Sequence, residues 1–308
     1  MRAVPLIVVI LIATILAFMP LSSRADFESA LNAHRRGDYT TALSEFRRLA
    51  GARDPRAQYW VGVMYGNADG VPKNDTEALR WYRLAANQNS PDAQNMLGVL
   101  YGNGVGGLPK DAAEAVRWYR MAVAQGNTEA QNNLGVMYLM GEGVTQDYAE
   151  ALRLFHLAAA KGYAASEKAL GLMYVNGNGV PADDEEAFRW FLKAAEHGLA
   201  DAQYNVGVMY VKPKGVAQNY GEAFRWFSRG AEQGNVDCLY YVGSMHINGD
   251  GTSKDSVLAY KYLRLAADRG HNRATAEIVF LAAKMTPEQI AEAKRLVAGW
   301  KPTRIKQY

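Results

Sequence analysis

Few side chains in this sequence could do chemistry, and their spacing limits what that chemistry could be. Five histidines (His34, His156, His197, His246 and His271) and one cysteine, Cys238, are spread over 308 residues. Zinc sites take Cys and His in close pairs, or two His in H-E-x-x-H. Neither pattern occurs, so no metal is expected. Gly102-Asn103-Gly104-Val105-Gly106-Gly107 satisfies G-x-G-x-x-G. Such a loop holds a dinucleotide only after a strand and beside a parallel sheet, whereas this one follows a helical stretch. Glu and Arg recur three residues apart at Glu77–Arg80, Glu114–Arg117, Glu150–Arg153, Glu186–Arg189 and Glu222–Arg225. Residues at i and i+3 are neighbours on a helix surface, and ion pairs of that kind are ordinary. No G-x-S-x-G marks a nucleophile, and one cysteine allows no disulfide within the chain. The sequence therefore points to no catalytic residue and no cofactor.

What positions these residues is a repeat. A glycine with an aliphatic residue before it recurs at Gly62, Gly98, Gly135, Gly171, Gly207 and Gly243, at spacings of 36, 37, 36, 36 and 36. Tyr follows three residues later at Tyr65, Tyr101, Tyr138, Tyr174 and Tyr210, with His246 in the last copy. A fixed period in this range marks a stack of identical supersecondary units. Each unit reads as two helices. Counting from Ser166, whose counterparts are Ala57, Ala93, Ala130, Ala202 and Cys238, small or apolar residues fall at positions 0, 4, 7 and 8, one face of a 3.6-residue period. A Gly-rich turn follows, as at Gly177-Asn178-Gly179. Asp111, Asp147, Asp183 or Asp255 then precedes the second helix as a cap. That helix carries neighbouring large residues, as in Trp81-Tyr82, Trp118-Tyr119, Trp190-Phe191 and Trp226-Phe227. A glycine inside a helix costs about 1 kcal/mol against Ala, so six at one position need a packing reason. The expectation is that Gly171 lets the first helix lie close to Ala187 and Ala194, while Trp and Tyr rings fill the space between repeats. The fold class is all-α, a solenoid of two-helix repeats with helical end caps.

Composition agrees. Hydrophobic residues make up 49% and charged residues 21%, which excludes a disordered chain. Net charge is +3, and residues 1–25 contribute two of it through Arg2 and Arg24, leaving +1. A near-neutral chain gives no support for a nucleic-acid partner. The apolar run from Leu6 to Met19 is too short to cross a bilayer, which takes roughly 20 residues. Ser23 and Ala25 stand where a signal peptidase requires small residues, before Asp26. Residues 1–25 are therefore expected to be an export signal, and the mature chain, without a membrane span, to be periplasmic or secreted.

The stretch AQYWVGVMYGNADGVPKNDTEALRWYRLAANQ and its successors resemble the Sel-one-like repeat family (SLR), a branch of the tetratricopeptide superfamily. Its pattern A-x-x-x-L-G-x-M-Y-x-x-G-x-G-V-x-x-D-x-x-E-A-x-x-W-Y-x-x-A-A-x-x-G is met nearly throughout residues 57–198. Departures are Lys212-Pro213-Lys214 at one turn, an extra residue in Gly102–Gly107, and His246, Leu258 and Tyr262 in the sixth copy. The resemblance implies a right-handed α-solenoid acting as scaffold or adaptor. It also implies a place in envelope or signalling assemblies, as for many exported bacterial members, and no shared catalytic residue. Cysteine-rich relatives are reported to hydrolyse β-lactams, but they carry regularly spaced Cys pairs that this chain lacks.

Six such repeats are expected over 55–272, after a tetratricopeptide-like helix hairpin at 26–54 that turns at Gly37. Capping helices follow at 273–300, with Thr286-Pro287-Glu288-Gln289 as a capping box, and a basic tail at 301–308. On each first helix, positions 2, 3, 6 and 10 are expected to point away from the second helix, with positions 2 and 3 supplying the candidates. There the repeats vary while the core positions hold. Tyr59, Trp60, Asn95, Asn132, Asn133, Tyr204, Asn205, Tyr240 and Tyr241 are the candidate partner-binding residues. Amide and phenol hydrogen bonds with flat apolar area suit an extended peptide; packing against the adjacent repeat is the competing use. The expected partner is a protein or peptide of the cell envelope, with peptidoglycan or another carbohydrate as the alternative.

Overall fold

The computed structural model describes residues 21–303. Residues 1–20 of the expected export signal and 304–308 of the expected basic tail lie outside them. The described residues form sixteen helices in two compact units, residues 1–146 and 147–308. Unit 1 holds α1 (Leu21–Arg35), α2 (Tyr39–Gly51), α3 (Pro55–Asn67), α4 (Asp75–Ala86), α5 (Pro91–Asn103), α6 (Ala112–Ala124) and α7 (Thr128–Met140). Unit 2 begins with α8 (Tyr148–Ala159), α9 (Ala164–Asn176), α10 (Asp184–Glu196), α11 (Ala200–Val211) and α12 (Tyr220–Glu232). It continues with α13 (Val236–Asn248), α14 (Ser256–Ala267), α15 (Asn272–Ala282) and α16 (Pro287–Ala298). The odd-numbered helices from α3 to α13 are the first helices of repeats, and the even-numbered ones from α4 to α14 the second.

Helix starts are set by side chains. Pro55 and Pro91 open α3 and α5 behind the caps Asp54 and Ser90; proline suits this position because its missing N–H is unbonded there anyway. Asn74, Asp111, Asp147, Asp183, Asn219 and Asp255 cap the second helices, each accepting a backbone N–H from three residues on. The glutamates at that third position pair with the arginines, as in Glu77–Arg80 at 3.0 Å and Glu114–Arg117 at 2.7 Å.

Position 0 is fully buried in every repeat: Ala57, Ala93, Ala130, Ser166, Ala202 and Cys238 are each 0% exposed. At the repeated glycine the structure adds an aromatic ring to the close helix approach. What lies against Gly171 is the ring of Phe191, between Ala187 and Ala194 on the same helix. Tyr82, Tyr119 and Phe227 cover Gly62, Gly98 and Gly207 in the same way. The second ring of each large pair thus covers the glycine of its own hairpin and also fills space against the next repeat, as Phe227 does by stacking on Tyr241.

The turns also do more than reverse the chain. Gly179, at φ +74°, lies so close to Tyr148 of the preceding second helix that a Cβ would stand 2.6 Å from the Tyr148 Cβ. Gly70, Gly143, Gly215 and Gly251 make the same approach to Tyr39, Ala112, Asp184 and Tyr220. Gly179 therefore fixes how one repeat seats on the last. At Lys212 the usual left-handed cap is lost and the residue is extended, with φ −107°. The chain recovers the turn three residues later at Gly215, φ +67°.

At the start of unit 1, Phe46 of α2 stacks on Trp60 of α3, with centroids 5.7 Å apart and planes 11° apart. At the end of unit 2, Thr286 and Gln289 close the capping box in both directions. Helix α16 then packs on α14, burying Ala293. It leaves α15 uncovered on one side: Val279, which stands at the glycine position, is 66% exposed.

Candidate protein-binding face

The face of interest is built by the first helices. In unit 1 the three asparagines are joined in a chain of hydrogen bonds. Asn132 Nδ2 donates to Asn133 Oδ1 at 3.4 Å, Asn133 Nδ2 to Asn95 Oδ1 at 3.0 Å, and Asn95 Nδ2 to Glu129 Oε2 at 3.0 Å. Asn95 is 2% exposed, so its amide links α5 to α7 rather than facing outward. Tyr59 reaches Tyr82 of its own repeat, with centroids 5.7 Å apart, and Trp60 reaches back to α2. Burial raises the Tyr59 phenol well above its ordinary value, helped by nearby Asp92 and Glu129.

In unit 2, Tyr204, Tyr240 and Tyr241 line a recess of about 370 Å³ with Asp237, His271 and Arg273. Tyr241 stacks on Phe227 at 4.6 Å and 13°. Tyr240 stacks on His271 at 4.2 Å, and its hydroxyl donates to Glu277 at 2.8 Å. Burial pushes both Tyr204 and Tyr240 up to about 12, so they stay neutral phenols. His271 caps α15 by accepting the Ala274 N–H on Nδ1 at 3.2 Å. Asn205 is half-buried on α11. The recess can offer aromatic walls and neutral hydroxyl groups, which suits side-chain recognition.

Positions 2 and 3 therefore do double duty: Tyr59 and Tyr204 contact their own second helix, and Trp60 and Tyr241 the one before it. At position 6, Val136 and Leu172 are 40% and 42% exposed, while Val63, Val99, Val208 and Ser244 are half-buried; Met140 at position 10 is 62% exposed, and Phe280, on the helix after the last repeat, 71%. Sequence periodicity marks position 6 as outward, and only burial shows in which repeats it is open.

A second feature, at position 1, is invisible without side-chain contacts. Gln58, Gln94 and Gln203 are buried and donate to the carbonyls of Ala50, Ala86 and Ala195 on the preceding second helix. Each then accepts from a glutamine ending its own second helix: Gln88, Gln125 and Gln233. In the fourth repeat the pair becomes Glu167 and His197, with Nδ1 donating to Oε2 at 2.7 Å. Among the described residues no group of three or more His, Cys, Asp or Glu is placed to hold a metal, and no helix is long and apolar enough to cross a membrane.

A stack of two-helix units with buried small residues and a varied first-helix face defines a helical-repeat scaffold. The Sel1 repeat model matches six consecutive stretches, residues 55–90, 91–127, 128–163, 164–199, 200–235 and 236–271. The chain belongs to the Sel1 repeat family, whose members are non-catalytic scaffolds that typically mediate protein–protein interaction. It is similar to c5321, a protective antigen of uropathogenic Escherichia coli that displays an SLR fold, with 32% identity over 83% of this chain and a TM-score of 0.70. The chain spans 56% of the length of that protein. A Sel1 repeat protein from Oxalobacter formigenes is 29% identical over 78% of this chain, covers 96% of its own length, and has a TM-score of 0.69. Human IFIT1, 15% identical over 90% of this chain and 68% of its own, shares the fold at a TM-score of 0.54. No curated protein matches the chain.

Proposed function

We propose that this chain is an exported, non-enzymatic scaffold that holds a protein or peptide partner of the bacterial cell envelope against the first-helix faces of its repeats. One observation carries the reading. Val136 and Leu172 are exposed apolar residues on those faces, and Phe280 on the helix after the last repeat, while the partly buried residues beside them change from repeat to repeat. A partner packed on these faces would cover those apolar side chains. The varied Tyr and Asn residues would then set which partner fits.

Export is supported by the Leu6–Met19 run and by Ser23 and Ala25, which lead to a mature chain beginning at Asp26. Mass spectrometry of fractionated cells tests this. A full-length cytoplasmic product would remove the envelope from the proposal. For the face itself, Val136→Asp, Leu172→Asp and Phe280→Asp are combined and captured from envelope extract beside the parent. Loss of one specific protein partner with unchanged melting is the expected result. Cosedimentation with purified peptidoglycan in place of protein capture would favour the carbohydrate alternative.

A further inference from the structure

Unit 2 seats a segment of its own chain at the end of a second helix. After α16, Trp300 and Pro302 lie against Gly234, just beyond α12, each 3.4 Å from where a Cβ on that glycine would stand. The Arg269 guanidinium lies 4.7 Å from the centre of the Trp300 ring, and it donates to the Leu265 carbonyl at 2.8 Å. Thr303 then donates its backbone N–H to the Glu232 carbonyl at 2.7 Å. Carbonyls in the last turn of a helix have no partner within that helix. Here a short non-helical segment supplies one.

Because the repeats share one period, this seat has counterparts in the chain. One repeat back, Gly198 and Gln233 line a recess of about 250 Å³ that Thr303 also borders. Two repeats back, Gly162 and His197 line a larger recess of about 560 Å³, with His156, Trp190 and Lys193. The two match residue for residue: Ala159, Glu167 and Lys193 of the larger become Ala195, Gln203 and Arg229 in the smaller. Gly162, His197 and Ala160 thus stand where Gly234, Arg269 and Glu232 stand around the seated segment. The chemistry carries over as well. Trp190 gives an aromatic wall, with the His156 ring edge-on at 5.4 Å and Lys193 Nζ 4.1 Å from its centre. His197, in the place of Arg269, is held by the buried Glu167 carboxylate, and its Cε1 lies 3.5 Å from where a Cβ on Gly162 would stand. Rings and cations arranged in this way attract an aromatic side chain.

We propose that the recess at Gly162 and His197 receives a short segment of a protein partner, one carrying an aromatic residue followed two positions on by proline. The segment would pack as Trp300 and Pro302 pack on Gly234, and its backbone N–H would reach the Ala160 carbonyl as that of Thr303 reaches Glu232. The site lies at the ends of second helices and is a second surface besides the first-helix faces. Trp300 is already seated in its own chain, which favours a partner protein over a second copy as the occupant.

The test titrates the full mature chain with a fluorescent peptide copying residues 298–303. Two control peptides replace its Trp or its Pro by Ala. Saturable binding of the copy is expected, at least about fivefold weaker for each control. Glu167→Gln/His197→Gln rebuilds the glutamine pair found in other repeats, so melting should hold while the loss of the imidazole weakens binding several-fold. Lys193→Ala, at an exposed residue of the recess, should weaken it too, and Lys212→Ala, at an exposed residue outside it, should not. No binding of the copy, or equal binding of the controls, would overturn the proposal. Binding untouched by both recess variants would also overturn it and place the peptide in the seat of Trp300. A concentration-dependent dimer that Trp300→Ala abolishes would make the occupant a second copy, against the proposal.

Discussion

The ring of Phe191 lies directly over the α-carbon of Gly171, so that a methyl group there would stand 2.6 Å from both Cδ1 and Cε1. The same relation links Tyr82 to Gly62 and Phe227 to Gly207. One hairpin geometry is thus enforced again and again by pairing the smallest residue with a large flat one. Gly171→Ala gains about 1 kcal/mol in helix propensity but incurs an overpacking cost of about 1–3 kcal/mol. A modest net loss is expected. Gly171→Leu should lose at least about 3 kcal/mol, with the damage shared by neighbouring repeats. Chemical denaturation measures both, and a Leu variant as stable as the parent would mean that the ring can swing aside.

The two glycines of one turn should behave differently. Gly177 caps α9 at φ +69° with its nearest neighbour 3.5 Å away, so Gly177→Ala meets only the left-handed backbone cost of about 1–2 kcal/mol. Gly179→Ala adds a collision with Tyr148, for about 2–5 kcal/mol in all. Thermal melts of the two variants should separate clearly, and equal losses would assign Gly179 to the turn alone.

Gln203 is 3% exposed, donates to Ala195 O at 3.2 Å and accepts from Gln233 at 2.8 Å. Gln203→Leu should cost about 1–3 kcal/mol through the unpaired groups it leaves. Gln203→Glu should also destabilise, and Gln203→Glu/Gln233→His should recover part of the loss by rebuilding the pair found at Glu167 and His197. A double-mutant cycle with no coupling would show that the two positions act independently.

Cys238 is 0% exposed, and burial raises its thiol well above the ordinary value, with Asp237 and Asp201 adding to the effect. The thiolate, which is the reactive form, is therefore both scarce and shielded. Ellman's reagent at mildly alkaline pH should label native protein only at the rate of unfolding, and label it fully in denaturant. Rapid native labelling would place Cys238 at the surface.

Much of this molecule is written locally, and the sequence determined that part. The period of the glycines is read off directly, and the caps at Asp111 and Asp183, the capping box at Thr286 and the pairs such as Glu114–Arg117 depend on residues within a few positions of one another. The structure shows each of them. Position 0 was legible too, because a core that must be the same in every repeat leaves the same small residue each time. Tertiary structure decided what depends on residues about 8 to 38 apart: that the Phe191 ring meets Gly171, that Gly179 seats on Tyr148, that Gln203 bonds Ala195 and Gln233, and that Asn133 bonds Asn95. It also showed that positions 2 and 3 share their surface with neighbouring helices, and that position 6 is open only in some repeats, at Val136 and Leu172. Periodicity gives the direction a side chain leaves its helix, but burial depends on the neighbouring helix it meets, and no local pattern records that distance.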